Sequence, residues 1–110
     1  LRDEGVLIVG SGFMTHGLPY IGEYWDGRAG APAWSAEFDR WAAEALATGD
    51  LDTLFAFREK APGMPFAHPT VEHFAPLFVT LGAAAKPDDA PKTAIDGFFL
   101  GLSKRSIEAR

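Results

Sequence analysis

Apolar and polar positions follow one another in this chain in patterns that predict both strands and helices. The first apolar run, Val6 to Val9, is short and continuous, which is typical of a strand buried on both faces. Gly10-Ser11-Gly12 comes next and predicts a sharp turn, so that His16 emerges near the carboxyl end of the strand. Ligands bind at that end of open α/β sheets. The pattern therefore favours a functional position for His16.

The middle of the chain predicts a loop followed by a helix. Residues 17–33 are rich in Gly and Pro and are expected to form a shaped loop, with a short helix at 18–24. Ser35 is a suitable N-cap for a helix over residues 36–48, which Gly49 should end. Apolar side chains recur on one face of this helix at a helical period. They are Phe38, Trp41, Ala42, Ala45 and Leu46.

Two further helices are predicted beyond Gly49. The first covers about residues 50–60, and a loop rich in Pro follows it at 61–69. The second is expected over about 70–82, with Pro69 at its first position. Pro76 lies inside that range and should weaken or kink the helix.

The last quarter of the chain has a poor helical period. Residues 86–94 are polar and contain proline, so we expect a surface connection there. Residues 98–100 and 103–107 indicate strands. Strands and helices together predict an α/β fold.

Composition narrows the classes of function. A chain of 110 residues with 47% hydrophobic residues is one domain at most and can form a core. Its net charge of −5 provides no basic surface for nucleic acid or for an anionic membrane. No apolar run approaches the roughly 20 residues of a membrane-spanning helix, and no signal peptide is evident. We therefore expect a cytoplasmic protein.

The start of the chain suggests that more sequence belongs before it. Leu1 stands where an initiator methionine would be, and the predicted interior strand begins only a few residues later. A self-sufficient domain rarely opens on a buried strand. We therefore expect this chain to be a piece of a longer protein.

Candidate chemistry is concentrated in the three histidines. The chain has no cysteine, which excludes thiolate chemistry and leaves His, Asp and Glu as metal ligands. His16 follows the glycine turn, whereas His73 lies beside Glu72 on the predicted third helix. His68 precedes Pro69 in a loop and is expected to be extended and exposed. Residue types alone do not rank His68 against His73, and each histidine has an alternative structural role in the surface or core. The histidines and Glu72 together predict half of a metal site.

The surroundings of the histidines resemble a known family, the class III (LigB-type) extradiol ring-cleavage dioxygenases, with the 4,5-DOPA dioxygenase branch as the best likeness. The residues that carry the resemblance are Leu7-Ile8-Val9-Gly10-Ser11-Gly12, Thr15-His16-Gly17-Leu18, His68-Pro69-Thr70-Val71-Glu72-His73-Phe74-Ala75-Pro76-Leu77 and Leu81-Gly82-Ala83. The helix with Trp34, Phe38 and Trp41 and the strands of residues 97–107 resemble the same branch. The segment His68 to Leu77 is specific to this family. The Gly10-Ser11-Gly12 turn is a weak signal by itself.

The resemblance implies a fold and a domain assignment. Residues 1–110 are expected to be the C-terminal part of a single catalytic domain, an α/β domain with a mixed sheet and helices packed on it. The N-terminal half, which carries two further metal histidines in the family, is expected to be absent. The chain alone is therefore expected to be inactive. A homo-oligomer, or association with the missing half, is expected to cover the opening strand.

The resemblance also implies a reaction and its participants. It implies a non-haem Fe(II) enzyme, with Zn(II) as a second candidate metal, that opens a catechol-type ring by adding both atoms of O₂. His16 matches the acid/base position and, in some members, a metal ligand. His73 matches a metal ligand, and His68 matches a position near the substrate.

Alternatives to these assignments remain open. Tyr20, Tyr24 and Trp25 are candidates for the pocket wall, with plain loop packing as the alternative. A zinc-dependent hydrolase using the same ligands is one competing function. A non-catalytic assembly domain with structural histidines is another.

Overall fold

The computed structural model describes residues 1–27, 30–86 and 89–110. Within these residues the chain forms helices and short strands, and the expected α/β class is confirmed. The α-helices are α1 (Ala33–Thr48), α2 (Leu51–Phe55), α3 (Phe57–Lys60) and α4 (Ala75–Gly82). The strands are β1 (Lys92–Ile95), β2 (Phe98–Phe99), β3 (Leu102–Ser103) and β4 (Ser106–Glu108). Single 3-10 turns are Arg2–Glu4, Leu18–Tyr20 and Gly22–Tyr24.

Helix α1 is the main helix of the core. The predicted apolar face is confirmed, since Phe38, Ala42 and Leu46 are buried. The predicted start is wrong, because the helix begins at Ala33 after an extended Pro32. Ser35 is buried inside the helix and its hydroxyl lies 2.8 Å from that of Thr15, so it is not a cap. Gly49 ends the helix as predicted, in the left-handed conformation with φ 67°.

Helices α2 and α3 replace the single helix predicted over residues 50–60. Asp50 caps α2, since its carboxylate accepts a hydrogen bond of 2.9 Å from the amide of Thr53. Ala56, with ψ 22°, separates the two helices. This offset leaves Leu54 and Phe57 buried in the same core.

Helix α4 starts later than predicted. Pro76 lies in its first turn, not in its interior, and the helix begins at Ala75 instead of residue 70. Proline lacks the amide that an interior position must donate, and its ring clashes with the preceding turn, so the first turn is where it is tolerated. His73 consequently lies in the turn before the helix and not on it.

The opening segment differs most from its prediction. Residues 6–9 form no strand, and the side chains of Leu7 and Val9 are 85% and 76% exposed. No strand among the described residues pairs with this segment. A strand exists only with a hydrogen-bonded neighbour. The expectation of a strand buried on both faces is therefore wrong for the chain as described.

Two small antiparallel sheets lie at the C-terminal end of the chain. Strand β1 pairs with β4, and β2 pairs with β3, whose Leu102 is buried and which packs against α1. Leu100 and Gly101 connect β2 to β3 with positive φ values of 51° and 79°, as a two-residue hairpin turn requires. The two predicted strand regions are confirmed in part.

Strand β1 was missed by the sequence reading. It begins inside the predicted surface connection of residues 86–94 and extends one residue beyond it, and its four residues are exposed. Residues 87 and 88 of that connection, like residues 28 and 29 of the predicted 17–33 loop, lie outside the described part of the chain. Among the helices of the described ranges, none combines the length and the apolar character that a membrane span requires.

Candidate functional site

The two motif histidines, His16 and His73, are in direct contact. Their imidazole rings stack with centroids 3.4 Å apart and planes 13° from parallel. Phe13 lies beside the pair, with its ring centroid 6.2 Å from that of His16. Both histidines are partly exposed. The fold therefore joins two segments that are far apart in the sequence into one site that solvent can reach.

Backbone contacts explain how the two segments come together. The amide of His16 donates a 2.7 Å hydrogen bond to the carbonyl of Ala67, which ties the first segment to the loop before the second. Gly12 passes so close to His73 that a Cβ atom added at Gly12 would overlap the His73 carbonyl oxygen. Glycine is thus required here for the close approach of two backbones. The Gly10-Ser11-Gly12 signal was informative, although for packing and not for a turn after a strand.

The stacked geometry limits how the pair can hold a metal. An imidazole nitrogen binds its metal at about 2.0–2.1 Å with a lone pair in the ring plane. The lone pairs of two nearly parallel stacked rings do not converge on one point. In this arrangement only one of the two rings, His16 or His73, can bind a given metal ion, and the other ring stacks against the one that binds.

The donor set suits a first-row metal but is incomplete. Imidazole is a good ligand for iron and zinc. Among the described residues, however, no group of three or more His, Cys, Asp or Glu side chains lies close enough together to hold a metal ion. The histidine pair by itself is therefore not a complete metal site, and the half-site stays a prediction.

His16 is suited to proton transfer. Partial burial lowers its pKa below the ordinary 6.5, and the positive charge that His73 can carry lowers it further, whereas Glu72 opposes both effects. His16 is consequently neutral near pH 7, with a nitrogen free to accept a proton.

Glu72 adds negative charge next to the pair. The hydroxyl of Thr70 donates a 2.6 Å hydrogen bond to its carboxylate, and this bond lowers the pKa of Glu72. The carboxylate is exposed and ionised near neutral pH. It belongs to the same turn as His73, so a cation bound at His73 would lie in a locally negative environment.

His68 is buried, contrary to the expectation that it is exposed. Only 2% of it is exposed, and its ring contacts three aromatic rings, with centroid distances of 4.8 Å to Phe74, 5.1 Å to Phe38 and 6.4 Å to Phe57. Its Nε2 lies 2.8 Å from the carbonyl oxygen of Met14. The residue before a proline is extended, but this loop folds inward and carries the ring into the core. A buried ring offers very little surface to a substrate.

Burial of His68 predicts a pH-dependent stability. Desolvation is the main cause that lowers its pKa from 6.5 to about 4, so the folded protein disfavours its charged form. The unfolded chain therefore binds more protons, and the stability present above pH 6.5 should fall as the pH drops towards about 4. A pKa difference of this size corresponds to about 3 kcal/mol. Urea unfolding across this pH range measures it, with His68→Gln as the control in which the additional loss should vanish. An equal loss in both proteins would contradict the prediction.

The aromatic residues of the 17–25 loop do not wall the histidine pair. Tyr20 packs edge-on against Phe66 at 4.8 Å and against Trp34 at 6.4 Å. Trp25 is 67% exposed, and Tyr24 packs near Gly101. Loop packing, the alternative considered for these residues, describes their contacts better than a pocket wall does.

A groove of about 290 Å³ adjoins the site instead. It runs between the opening segment, α4 and β4, and His73 lies at its edge. Representative lining residues are Leu7, Val9, Phe13, His73, Leu77 and Ile107. Phe13 was not predicted as a site residue, because its only signal in the sequence is its place between the glycine turn and His16.

Comparison with known proteins identifies the family of the chain. Residues 1–96 match the family described as the catalytic LigB subunit of aromatic ring-opening dioxygenase. The chain belongs to this family. The resemblance inferred from the two histidine segments is thereby confirmed, since the matched range includes both of them.

Relatives of this LigB family chain share the name 4,5-DOPA dioxygenase extradiol. The chain is 42% identical to the protein of Beta vulgaris over 82% of its length and 41% identical to that of Portulaca grandiflora over 82%. It is 31% identical to the Escherichia coli (strain K12) protein over 98% of its length. These alignments cover 32%, 32% and 40% of the three relatives, so the chain spans about a third of their length.

Proposed function

We propose that the protein carrying this chain is a non-haem, metal-dependent dioxygenase that opens catechol-type rings by extradiol addition of both atoms of O₂. The observation that carries the proposal is the contact between His16 and His73, at 3.4 Å between ring centroids, in a chain of the LigB family. The relatives named 4,5-DOPA dioxygenase extradiol support the same reaction class.

His73 is proposed as the metal ligand, with Fe(II) as the expected metal and Zn(II) as the alternative. Its turn also carries the ionised Glu72, which favours a cation there. A divalent metal at this position supplies positive charge that lowers the pKa of a bound hydroxyl group. His73 would hold the metal ion next to the neutral ring of His16.

His16 is proposed as the acid/base. Its lowered pKa leaves it neutral near pH 7, so its imidazole can accept a proton from a catechol hydroxyl and return it later. The stack with His73 keeps this ring beside the metal ligand while its nitrogens stay available. A second role of His16 as a ligand would require its ring to leave the stack.

The 110 residues alone are proposed to be inactive, because the described residues offer two adjacent imidazoles and no third ligand near them. Association with further sequence or with a second copy would also cover the exposed Leu7 and Val9. We place the protein in the cytoplasm on the basis of its composition.

Ring opening by the protein expressed from its complete reading frame tests the proposal. The protein is loaded anaerobically with Fe(II) and mixed with a catechol, and oxygen consumption and the ring-opened product are followed. We expect one O₂ consumed per ring and isotopic oxygen label from O₂ in the product, both abolished by a chelator. Turnover without O₂ would indicate a zinc-dependent hydrolase. A folded, metal-free protein without turnover would indicate an assembly domain.

A further inference from the structure

We propose that His68 is a positioning residue: its buried ring holds the Met14 carbonyl and thereby fixes where His16 stands against His73. This inference rests on the proposed function only for its consequence in catalysis. It is an alternative to the substrate contact expected for His68, because only 2% of the residue is exposed.

Three consecutive residues leading into the site are each held by a hydrogen bond. His68 Nε2 lies 2.8 Å from the oxygen of Met14. The Thr15 hydroxyl accepts a 2.7 Å hydrogen bond from the amide of Ser103 and lies 2.8 Å from the hydroxyl of Ser35. The amide of His16 donates to Ala67.

The segment from Met14 to His16 is therefore fixed by contacts to two different parts of the fold. Thr15 ties it to α1 and β3, whereas His68 and Ala67 tie it to the loop that leads to His73. Of these contacts, the pair Ala67 and His68 joins the two histidine segments to each other. A shift of this loop relative to the segment would move the two imidazoles of the site apart.

The chemistry of the His68 ring indicates a purpose beyond filling space. A bond to a carbonyl oxygen requires the hydrogen on Nε2, which leaves Nδ1 as a bare acceptor. Nδ1 is buried and has no hydrogen-bond partner in the described part of the chain. An unpaired buried acceptor is costly, and an apolar side chain would fill the same aromatic surroundings without that cost. The bond to Met14 is what such a side chain could not provide.

Two replacements separate the bond from the packing. In glutamine the side-chain nitrogen is as many bonds from Cα as Nε2 is in histidine, so His68→Gln can still donate to Met14. Leucine fills an apolar site but has no donor, so His68→Leu removes the bond. His68→Asn is a second control, because its amide is polar but its side chain is too short to reach the Met14 carbonyl.

The first measurement uses metal-free protein and does not depend on catalysis. Nitrogen chemical shifts of the imidazoles report the tautomer of His68, and proton shifts of His16 report the ring current of the stacked His73. We expect the Nε2–H tautomer in the unmodified protein. In His68→Leu and His68→Asn we expect the His16 signals to lose the shift caused by stacking, and in His68→Gln to keep most of it. An Nδ1–H tautomer, or unchanged His16 signals in a folded His68→Leu variant, would overturn the proposal.

The second measurement applies the same variants to ring opening by the complete protein. Because a displacement of about 1 Å in an active site can cost about 10²-fold, we expect kcat to fall by about that factor in His68→Leu, with KM changed little and with recovery in His68→Gln. Equal kcat in all variants would refute the positioning role. If no protein opens the ring, the proposed function fails, and the spectroscopic result still decides whether His68 positions His16.

Discussion

Replacing His73 by alanine is expected to abolish tight metal binding and ring opening, whereas replacing His16 by alanine should leave the metal in place and lower kcat. The parallel stack lets one ring of the pair bind a given ion, which favours a division of roles. Loss of a residue that only supports a metal ligand typically costs 10–100-fold in affinity, so loss of a ligand should cost more than about 100-fold. Loss of an acid/base group costs about 10²–10⁴-fold in kcat.

Metal affinity and turnover must be measured on the same preparations to separate these roles. Titration with Fe(II) or Co(II) gives the affinity, and single-turnover kinetics give the chemical step. Phe55→Ala is a suitable control, since Phe55 is 63% exposed and stacks on Phe78, with no ring contact to either histidine. If both histidine variants lost the metal equally, His16 would be a ligand too and its ring would have to turn out of the stack. Unchanged metal content in a folded His73→Ala variant would favour the assembly domain.

Local sequence patterns predicted the parts of the fold that local forces decide. The apolar period of α1 and the glycine that ends it are both properties of one helix, and both predictions are confirmed. The start of α4 was predicted wrongly because Pro69 and Pro76 can each begin a helix, and only the second does. Residues 6–9 are apolar and, except for Leu7, β-branched, but strand formation also needs a partner, which no local pattern reveals.

The candidate site was predicted from the family resemblance and not from local patterns. No spacing rule places His16 on His73, and a common active site was expected only from the resemblance of their two segments to one family. The burial of His68 was not anticipated, because the aromatic rings around it come from α1, α3 and the turn before α4. Such a long-range cluster leaves no signature next to His68 in the chain.

Replacing Arg105 by leucine is expected to destabilise the fold by about 3–5 kcal/mol. Arg105 donates two hydrogen bonds, of 2.9 and 2.8 Å, to the carboxylate of Asp39, and both side chains are largely buried at 14% and 10% exposure. Removing one partner leaves a buried, unpaired charge, and this is the costly way to break such a pair. Since domains are typically stable by only 5–15 kcal/mol, this loss is a large fraction of the total free energy of unfolding.

The matched control for Arg105 is Arg110→Leu. Arg110 also contacts a carboxylate, that of Glu108 at 3.1 Å, but these side chains are 83% and 51% exposed. Exposed pairs contribute about 0–1 kcal/mol, so the control should unfold almost like the unmodified protein in urea. Equal losses for the two arginine variants would show that burial does not strengthen the Asp39 pair.

The Asp39–Arg105 pair also reaches the candidate site through β3. Ser103 donates its hydroxyl to Asp39 and its amide to Thr15, the residue before His16. Replacing both Asp39 and Arg105 by leucine removes both charges, and for buried pairs this often restores much of the stability that a single replacement loses. If the double variant is stable again but the proton chemical shifts of His16 differ from those of the unmodified protein, the pair orients Thr15. A double variant with normal His16 signals would assign the pair to stability alone.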